Sequence, residues 1–141
     1  MLLKSYVHGA SSANLLGQTL GANFDSAAER WGDKEALVVR HQNLRWSYHD
    51  LKMRVDAFAA GLLSLGLEPG DRIGIWSQNN SEWVVTQYAT AKIGLILVNI
   101  NPAYRILELE YAINKVGCRA LILSEKFKSS NYIDMLKELA P

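Results

Sequence analysis

Arg72-Ile73-Gly74-Ile75-Trp76-Ser77, followed by Asn79-Asn80-Ser81, a twelve-residue stretch at 82–93 and the apolar run 95–100, decides the fold class. The first six residues predict a strand. Asn79-Asn80-Ser81 supplies a helix cap, because a short polar side chain there satisfies amides that have no partner inside the helix. Trp83, Val84, Val85, Tyr88, Ala89 and Ala91 leave the next segment apolar on most sides, which predicts a largely buried helix. Gly94 closes it. The run 95–100, broken only by Asn99, predicts a second strand. Strand, helix and strand with apolar residues on both strand faces is the pattern of a parallel sheet covered on both sides.

The same alternation continues outward. Downstream, Asn101-Pro102-Ala103-Tyr104 reads as a loop, and Ile106, Leu109, Ile113 and Val116 mark a helix closed by Gly117. Residues 120–123 predict a third strand, and Ile133, Leu136 and Leu139 a last helix. Upstream, Glu68-Pro69-Gly70-Asp71 is a turn cluster. Before it, Leu51, Val55, Phe58, Ala59 and Leu62 recur at three and four, predicting a helix of about five turns that ends at Gly66. Ser47-Tyr48-His49-Asp50 has capping-box spacing at its start. Residues 36–40 and 44–48 are strand-like on either side of His41-Gln42-Asn43, which suits a hairpin. Leu20, Phe24, Ala27, Ala28 and Trp31 predict a helix over 19–31, with Gly32 as its C′ stop. Residues 1–18 read as an extended lead-in. The expectation is a doubly wound, mostly parallel α/β sheet with helices on both faces and right-handed crossovers. Pro141 directly follows a helix with no finishing strand, the pattern of an incomplete subdomain.

Composition narrows the function classes. The 141 residues fit one domain, and 49% hydrophobic with 21% charged residues is a globular balance that excludes wholesale disorder. Lys and Arg number 15 against 14 Asp and Glu, a net charge of +1 with no basic stripe, which argues against nucleic acid as a partner. The single cysteine, Cys118, excludes an internal disulfide, a CxxC pair and a cysteine-rich zinc site, and fits a reducing compartment. The first residues show neither a signal-peptide core nor an Arg-rich transit pattern, since the first arginine is Arg30. No apolar run approaches the ~18 residues of a membrane span.

Site chemistry in the residues is sparse. The carboxyl ends of the expected strands carry Ser77-Gln78-Asn79-Asn80, Asn101-Pro102-Ala103-Tyr104 and Ser124-Glu125, where a doubly wound sheet binds ligands. Asn79, Asn101 and Tyr104 are therefore candidates for a substrate pocket. The competing structural roles are a cap for Asn79 and Asn80 and an Asx turn for Asn101. Gly61 and Gly66 have phosphate-loop spacing, but Leu67 stands where the loop requires Lys. His8, His41 and His49 form no metal-ligand pair. Glu108 and Glu110 point to different helix faces and more readily complement a helix N-terminus. No triad surrounds Ser11 or Ser12, and Cys118 reads as a buried core thiol. Trp31, Trp46, Trp76 and Trp83 suit core or sheet positions. The residues thus offer no catalytic group and no metal site.

Several stretches together resemble the adenylate-forming acyl-CoA synthetases. Leu44-Arg45-Trp46-Ser47-Tyr48-His49-Asp50-Leu51 is similar to that superfamily's first core motif, L-T/S-Y-x-E-L, with Trp46 and Asp50 as departures. Ala91-Lys92-Ile93-Gly94-Leu95-Ile96-Leu97-Val98-Asn99-Ile100-Asn101-Pro102 is similar to its second. Asp33-Lys34-Glu35-Ala36-Leu37-Val38 and Glu68-Pro69-Gly70-Asp71-Arg72-Ile73 also match the family's habit. Ser5-Tyr6-Val7-His8-Gly9, Asn101-Pro102-Ala103-Tyr104, Leu109-Glu110-Tyr111 and Lys115-Val116-Gly117-Cys118 resemble a mitochondrial, medium-chain branch. The resemblance implies that residues 19–141 are the N-terminal part of an AMP-binding domain. It implies a ligase in which a fatty carboxylate attacks the α-phosphorus of ATP and CoA then takes the acyl group, with Mg²⁺ offsetting charge. The family's phosphate loop, adenine- and ribose-binding stretch and catalytic Lys lie downstream of the matched region. This chain is therefore expected to bind none of ATP, Mg or CoA alone and to be inactive alone. The implied partners are fatty acid, ATP and CoA, and the implied location is the mitochondrial matrix. A stand-alone binding module with a synthetase-like fold is the alternative.

Overall fold

The computed structural model describes Gly9, Ser12, Ala13 and residues 15–140. Most of the expected lead-in, including His8 and Ser11, and Pro141 lie outside the described residues. The elements are α1 (Leu20–Trp31), β1 (Glu35–Val39), β2 (Leu44–Ser47), α2 (Tyr48–Ser64), β3 (Arg72–Trp76), α3 (Ser81–Lys92), β4 (Ile96–Ile100), α4 (Ile106–Val116), β5 (Cys118–Leu123), β6 (Lys126–Phe127), β7 (Ser130–Asn131) and α5 (Tyr132–Leu139).

β3, β4 and β5 form a parallel sheet in the order β4-β3-β5. The expected parallel α/β architecture with helices on both faces is what the chain adopts. One face carries α1, α2 and α3 over Ile73, with Phe24, Leu51, Val55, Leu62 and Ala89 buried and Ala120 and Ile122 packed against them. The other carries α4 and α5, where Trp76, Ile100, Leu109, Tyr132 and Met135 are buried against Leu121 and Leu123. Gly74 sits on this second face because no side chain fits there. A Cβ would stand 2.8 Å from Leu121 Cδ1 and 3.0 Å from Ile100 Cδ1.

Local chemistry sets the element ends. Ser47 Oγ accepts the Asp50 amide at 3.1 Å while Asp50 accepts the Ser47 amide at 3.0 Å, so the capping box expected at α2 is formed. Asn131 caps α5 through the Asp134 amide. Gly66, Gly94 and Gly117 take positive φ after their helices, as the sequence predicts.

Gly32 follows α1 as its stop, as the sequence predicts, in a right-handed conformation with φ −40° and ψ −49°. Its carbonyl accepts the His49 amide at 3.0 Å, tying α1 to the start of α2. Four expectations need correction. In α3 the buried members are Ser81, Thr86, Ala89 and Thr90, whereas Trp83, Val84, Val85 and Tyr88 are only half-buried. α3 lies against both α1 and α2, and the sides pressed against other elements accept small residues, with Thr90 Oγ1 satisfied by the Thr86 carbonyl at 2.8 Å. β4 lies at the sheet edge and leaves Ile96 and Asn99 exposed, so it is not covered on both faces. Trp31 is exposed on the surface beneath Arg30 rather than in the core. Cys118 is the first residue of β5 and only half-buried. The β6–β7 hairpin, two residues per strand, went unread because strands so short carry no periodicity.

Candidate functional site

The strand order locates the crevice that the sequence could not. From β3 the chain crosses through α3 to β4 on one side, then returns through α4 to β5 on the other. The order reverses between β3 and β5, and the carboxyl ends of such strands are where open α/β sheets bind ligands. Those ends carry Ser77 and Ser124.

Their hydroxyl oxygens lie 2.5 Å apart. Ser77 Oγ also lies 3.0 Å from the Gln78 carbonyl and accepts the Asn80 side-chain amide at 3.0 Å. A hydroxyl has one proton. With that proton donated to the Gln78 carbonyl, the short contact is filled by the Ser124 proton. Ser77 is then saturated and buried, and Ser124 turns only lone pairs outward. Asn80 meanwhile caps α3, its Oδ1 accepting the Trp83 amide at 2.9 Å.

Glu82 and Glu125 complete a cleft of about 320 Å³ with Ile75, Ile122 and Leu123. Burial alone would raise the Glu82 carboxyl. Hydrogen bonds from Gln42, its own amide and Ser81, with the charge of His41, outweigh burial and hold it below the usual carboxylate range. Gln42 Nε2 donates to Glu82 at 2.8 Å and Gln42 Oε1 accepts the Ser81 amide at 2.7 Å, so the β1–β2 hairpin is pinned to the start of α3. The crevice carries the carboxylates of Glu82 and Glu125. That negative charge suits a donor-bearing or cationic group better than a phosphate.

The structure separates the three residues singled out from sequence. Asn79 is exposed in the turn before α3. Asn101 Oδ1 accepts the Ala103 amide at 2.9 Å, the Asx turn, and its carbonyl accepts Trp76 Nε1 at 3.1 Å. Tyr104 stands at the far edge of the sheet, on a groove of about 500 Å³ with Val98, Ile100, Leu107 and Tyr111. Ser124 was named only as part of a strand end, and Glu82 and Gln42 went unmarked as site residues, because only strand order and hairpin packing bring the three together. Glu108 accepts the Arg105 amide at 3.0 Å and so serves the α4 N-terminus. Among the described residues no group of three or more His, Cys, Asp or Glu could hold a metal, and no helix is long and apolar enough to cross a membrane.

The sequence pattern described as AMP-binding enzyme matches residues 24–141. The chain belongs to the AMP-binding enzyme family. Within it, the chain is 49% identical over 137 residues to the Bos taurus medium-chain acyl-CoA ligase ACSF2, mitochondrial, and 46% to its Homo sapiens counterpart. Each alignment covers 97% of this chain and 22% of the relative. The putative acyl-CoA synthetase YngI of Bacillus subtilis is 34% identical over 92% of the chain. Among solved structures, a putative long-chain-fatty-acid CoA ligase from Rhodopseudomonas palustris superposes with a TM-score of 0.78 at 27% identity, covering 88% of this chain and 30% of that one. The N-terminal domain of FACL13 from Mycobacterium tuberculosis shares the fold, with a TM-score of 0.79 over 87% of this chain and 30% of that one at 24% identity. The chain thus spans about a fifth of the length of its AMP-binding relatives, and matches their N-terminal part.

Proposed function

We propose that this chain is the N-terminal scaffold of an ATP-dependent, medium-chain fatty acyl-CoA synthetase of the mitochondrial matrix, with residues 19–141 forming the first part of its AMP-binding domain. The observation that carries this reading is the 49% identity to the bovine medium-chain ligase over 97% of the chain. In the whole enzyme, the fatty carboxylate would attack the α-phosphorus of ATP with Mg²⁺ offsetting charge and pyrophosphate leaving, and the CoA thiol would then take the acyl group as AMP leaves. The negatively charged crevice at Ser124 and Glu82 suits the phosphates poorly, so this segment contributes framework rather than a catalytic group. Of the three residues singled out from sequence, Tyr104 keeps its side chain beside an apolar groove and is the best placed to meet an acyl chain. Asn101 spends its side chain on the Asx turn, and Asn79 faces solvent.

The test is pyrophosphate release from ATP and octanoate with Mg²⁺ and CoA present. The 141-residue chain alone should give none. The same chain exchanged for the matched 137 residues of the bovine ligase should support turnover. Activity of the short chain that persists through repeated purification, or an inactive but well-folded chimera, would overturn the reading.

A further inference from the structure

The side of α4 that borders β4 leaves apolar surface open. Leu107 is 78% exposed and Tyr111 67%. With Val98, Ile100 and Tyr104 they line the groove of about 500 Å³ between α4 and the β4 edge. Apolar side chains gathered into one exposed groove mark an interaction surface, unlike the same residues scattered singly.

The charges on that groove say what fits it. Glu108 and Lys115 both line it. They stand seven residues apart, two turns or about 10 Å along the axis, so they share one line of the helix but cannot reach each other. Glu108 gives Oε2 to the Arg105 amide and keeps its other oxygen. Lys115 makes no ion pair among the described residues. A second α4 laid antiparallel on the first brings each Glu108 to the other copy's Lys115, in two identical pairs. The midpoint falls between Tyr111 and Ala112, which then cross at the two-fold axis. The antiparallel arrangement also sets the acid in the first turn of one helix beside the base in the last turn of the other, so the two helix dipoles oppose. A parallel pair would set Glu108 against Glu108. A lipid surface would call for a basic face, and this face pairs one acid with one base.

We infer that the α4 face of Glu108, Tyr111, Ala112 and Lys115 is a self-association surface, on which a second copy of this chain docks with α4 antiparallel to α4. The contact is isologous, so it closes at two copies. It covers Tyr111 and gives the groove beside Tyr104 a wall from the second copy. The inference rests on charge and helix geometry, and is independent both of ligase activity and of the acyl-chain role given to Tyr104.

The experiment is sedimentation equilibrium of the 141-residue chain over a concentration series. The parent should reach the mass of two copies and dissociate more readily as salt rises. Glu108→Lys and Lys115→Glu should each weaken the dimer at least tenfold, because like charges then meet twice. An equimolar mixture of the two variants, both folded by circular dichroism, should restore it to within threefold, because each reversed charge then meets its opposite. Lys115→Glu leaves the Arg105 cap intact, so it tests the contact even where Glu108→Lys frays the helix. A parent that stays monomeric up to millimolar concentration would overturn the inference. So would association that Lys115→Glu does not weaken, or that a mixture of folded variants does not restore. In the chimera with the bovine ligase the same dimer should form. A monomeric chimera would mean that the remaining polypeptide covers α4, and would overturn the inference too. A dimeric but inactive chimera leaves it standing and sinks only the proposed activity.

Discussion

The indole of Trp76 lies flat on the ring of Tyr132, centroids 3.6 Å apart and planes 13° from parallel, with both side chains fully buried. Each polar tip then finds an acceptor in the same loop. Trp76 Nε1 donates to the Asn101 carbonyl at 3.1 Å and the Tyr132 hydroxyl to the Pro102 carbonyl at 2.5 Å. The pair thereby locks β3, α5 and the β4–α4 loop into one unit, which explains how a helix of eight residues stays docked.

Removing one tip isolates that contribution. Tyr132→Phe keeps the stacked ring but leaves the Pro102 carbonyl without its partner, which costs about 1–3 kcal/mol. Urea unfolding followed by circular dichroism should show a lower midpoint with an unchanged slope. An unchanged midpoint would mean that the hydroxyl adds nothing to docking.

A four-residue ion network joins the three helices of the other face. Lys92 bonds Asp25 at 2.7 Å and also Asp56, while Lys52 bonds Asp56 at 2.6 Å and Asp25 at 3.1 Å. Burial opposes ionisation of both carboxyls, yet the hydrogen bonds and charges of the two lysines outweigh it and hold them below their ordinary value. Lys52 is held above the usual lysine range by Asp56 first and then Asp25. A carboxyl depressed on folding adds stability that is present above its unfolded value and lost as pH falls through the folded one. An elevated lysine adds stability below its unfolded value, lost as pH rises through the folded one. Lys92→Met should therefore lower the melting temperature at pH 7, and its gap from the parent should close as pH drops below about 4. A gap that stays constant down to pH 2 would show that the network is electrostatically silent.

Parallel topology was legible because short strands apolar on both faces alternate with helix-length segments, and Gly94 and Gly117 punctuate the elements. Register and edge position were not. Asn99 in β4 reads as a blemish in an apolar run, and only the sheet order reveals that it faces solvent. The crevice was half-legible. Strand ends named Ser77 and Ser124, but the reversal that joins them depends on which side of β3 each crossover lands, and no local pattern encodes that. Gln42 was invisible for the same reason, since it reaches Ser81 and Glu82 across 39 and 40 residues of sequence.

Gln42 gives a direct test of how the hairpin is fixed. Its side chain bonds the Ser81 amide and the Glu82 carboxylate together, beside a left-handed Asn43 that closes the turn. Gln42→Ala frees one helix N-terminal amide and one acceptor, a loss on the order of 1–2 kcal/mol. Hydrogen exchange at Leu44 and Trp46 should quicken more than at Ile73. Equal acceleration at all three would show a global loss rather than release of the hairpin.

Cys118 tests burial at the start of β5. Its sulfur lies 3.5 Å from where a Cβ on Gly74 would stand, among residues of the α4 and α5 face. Burial raises the thiol above its ordinary value, opposed in part by the Arg72 charge and the Gly74 amide. The reactive species is the thiolate, so a raised thiol reacts slowly near neutrality and its rate should still be climbing above pH 9. Labelling by an aromatic disulfide at pH 8 should run at least tenfold slower in the folded chain than in denaturant. A native rate equal to the denatured one would mean that the β5 start opens freely. Half-burial makes that outcome reachable, so a pH series is needed. A slow rate that levels off at the same pH as in the denatured chain marks steric closure alone, whereas one that goes on climbing beyond that pH marks a raised thiol.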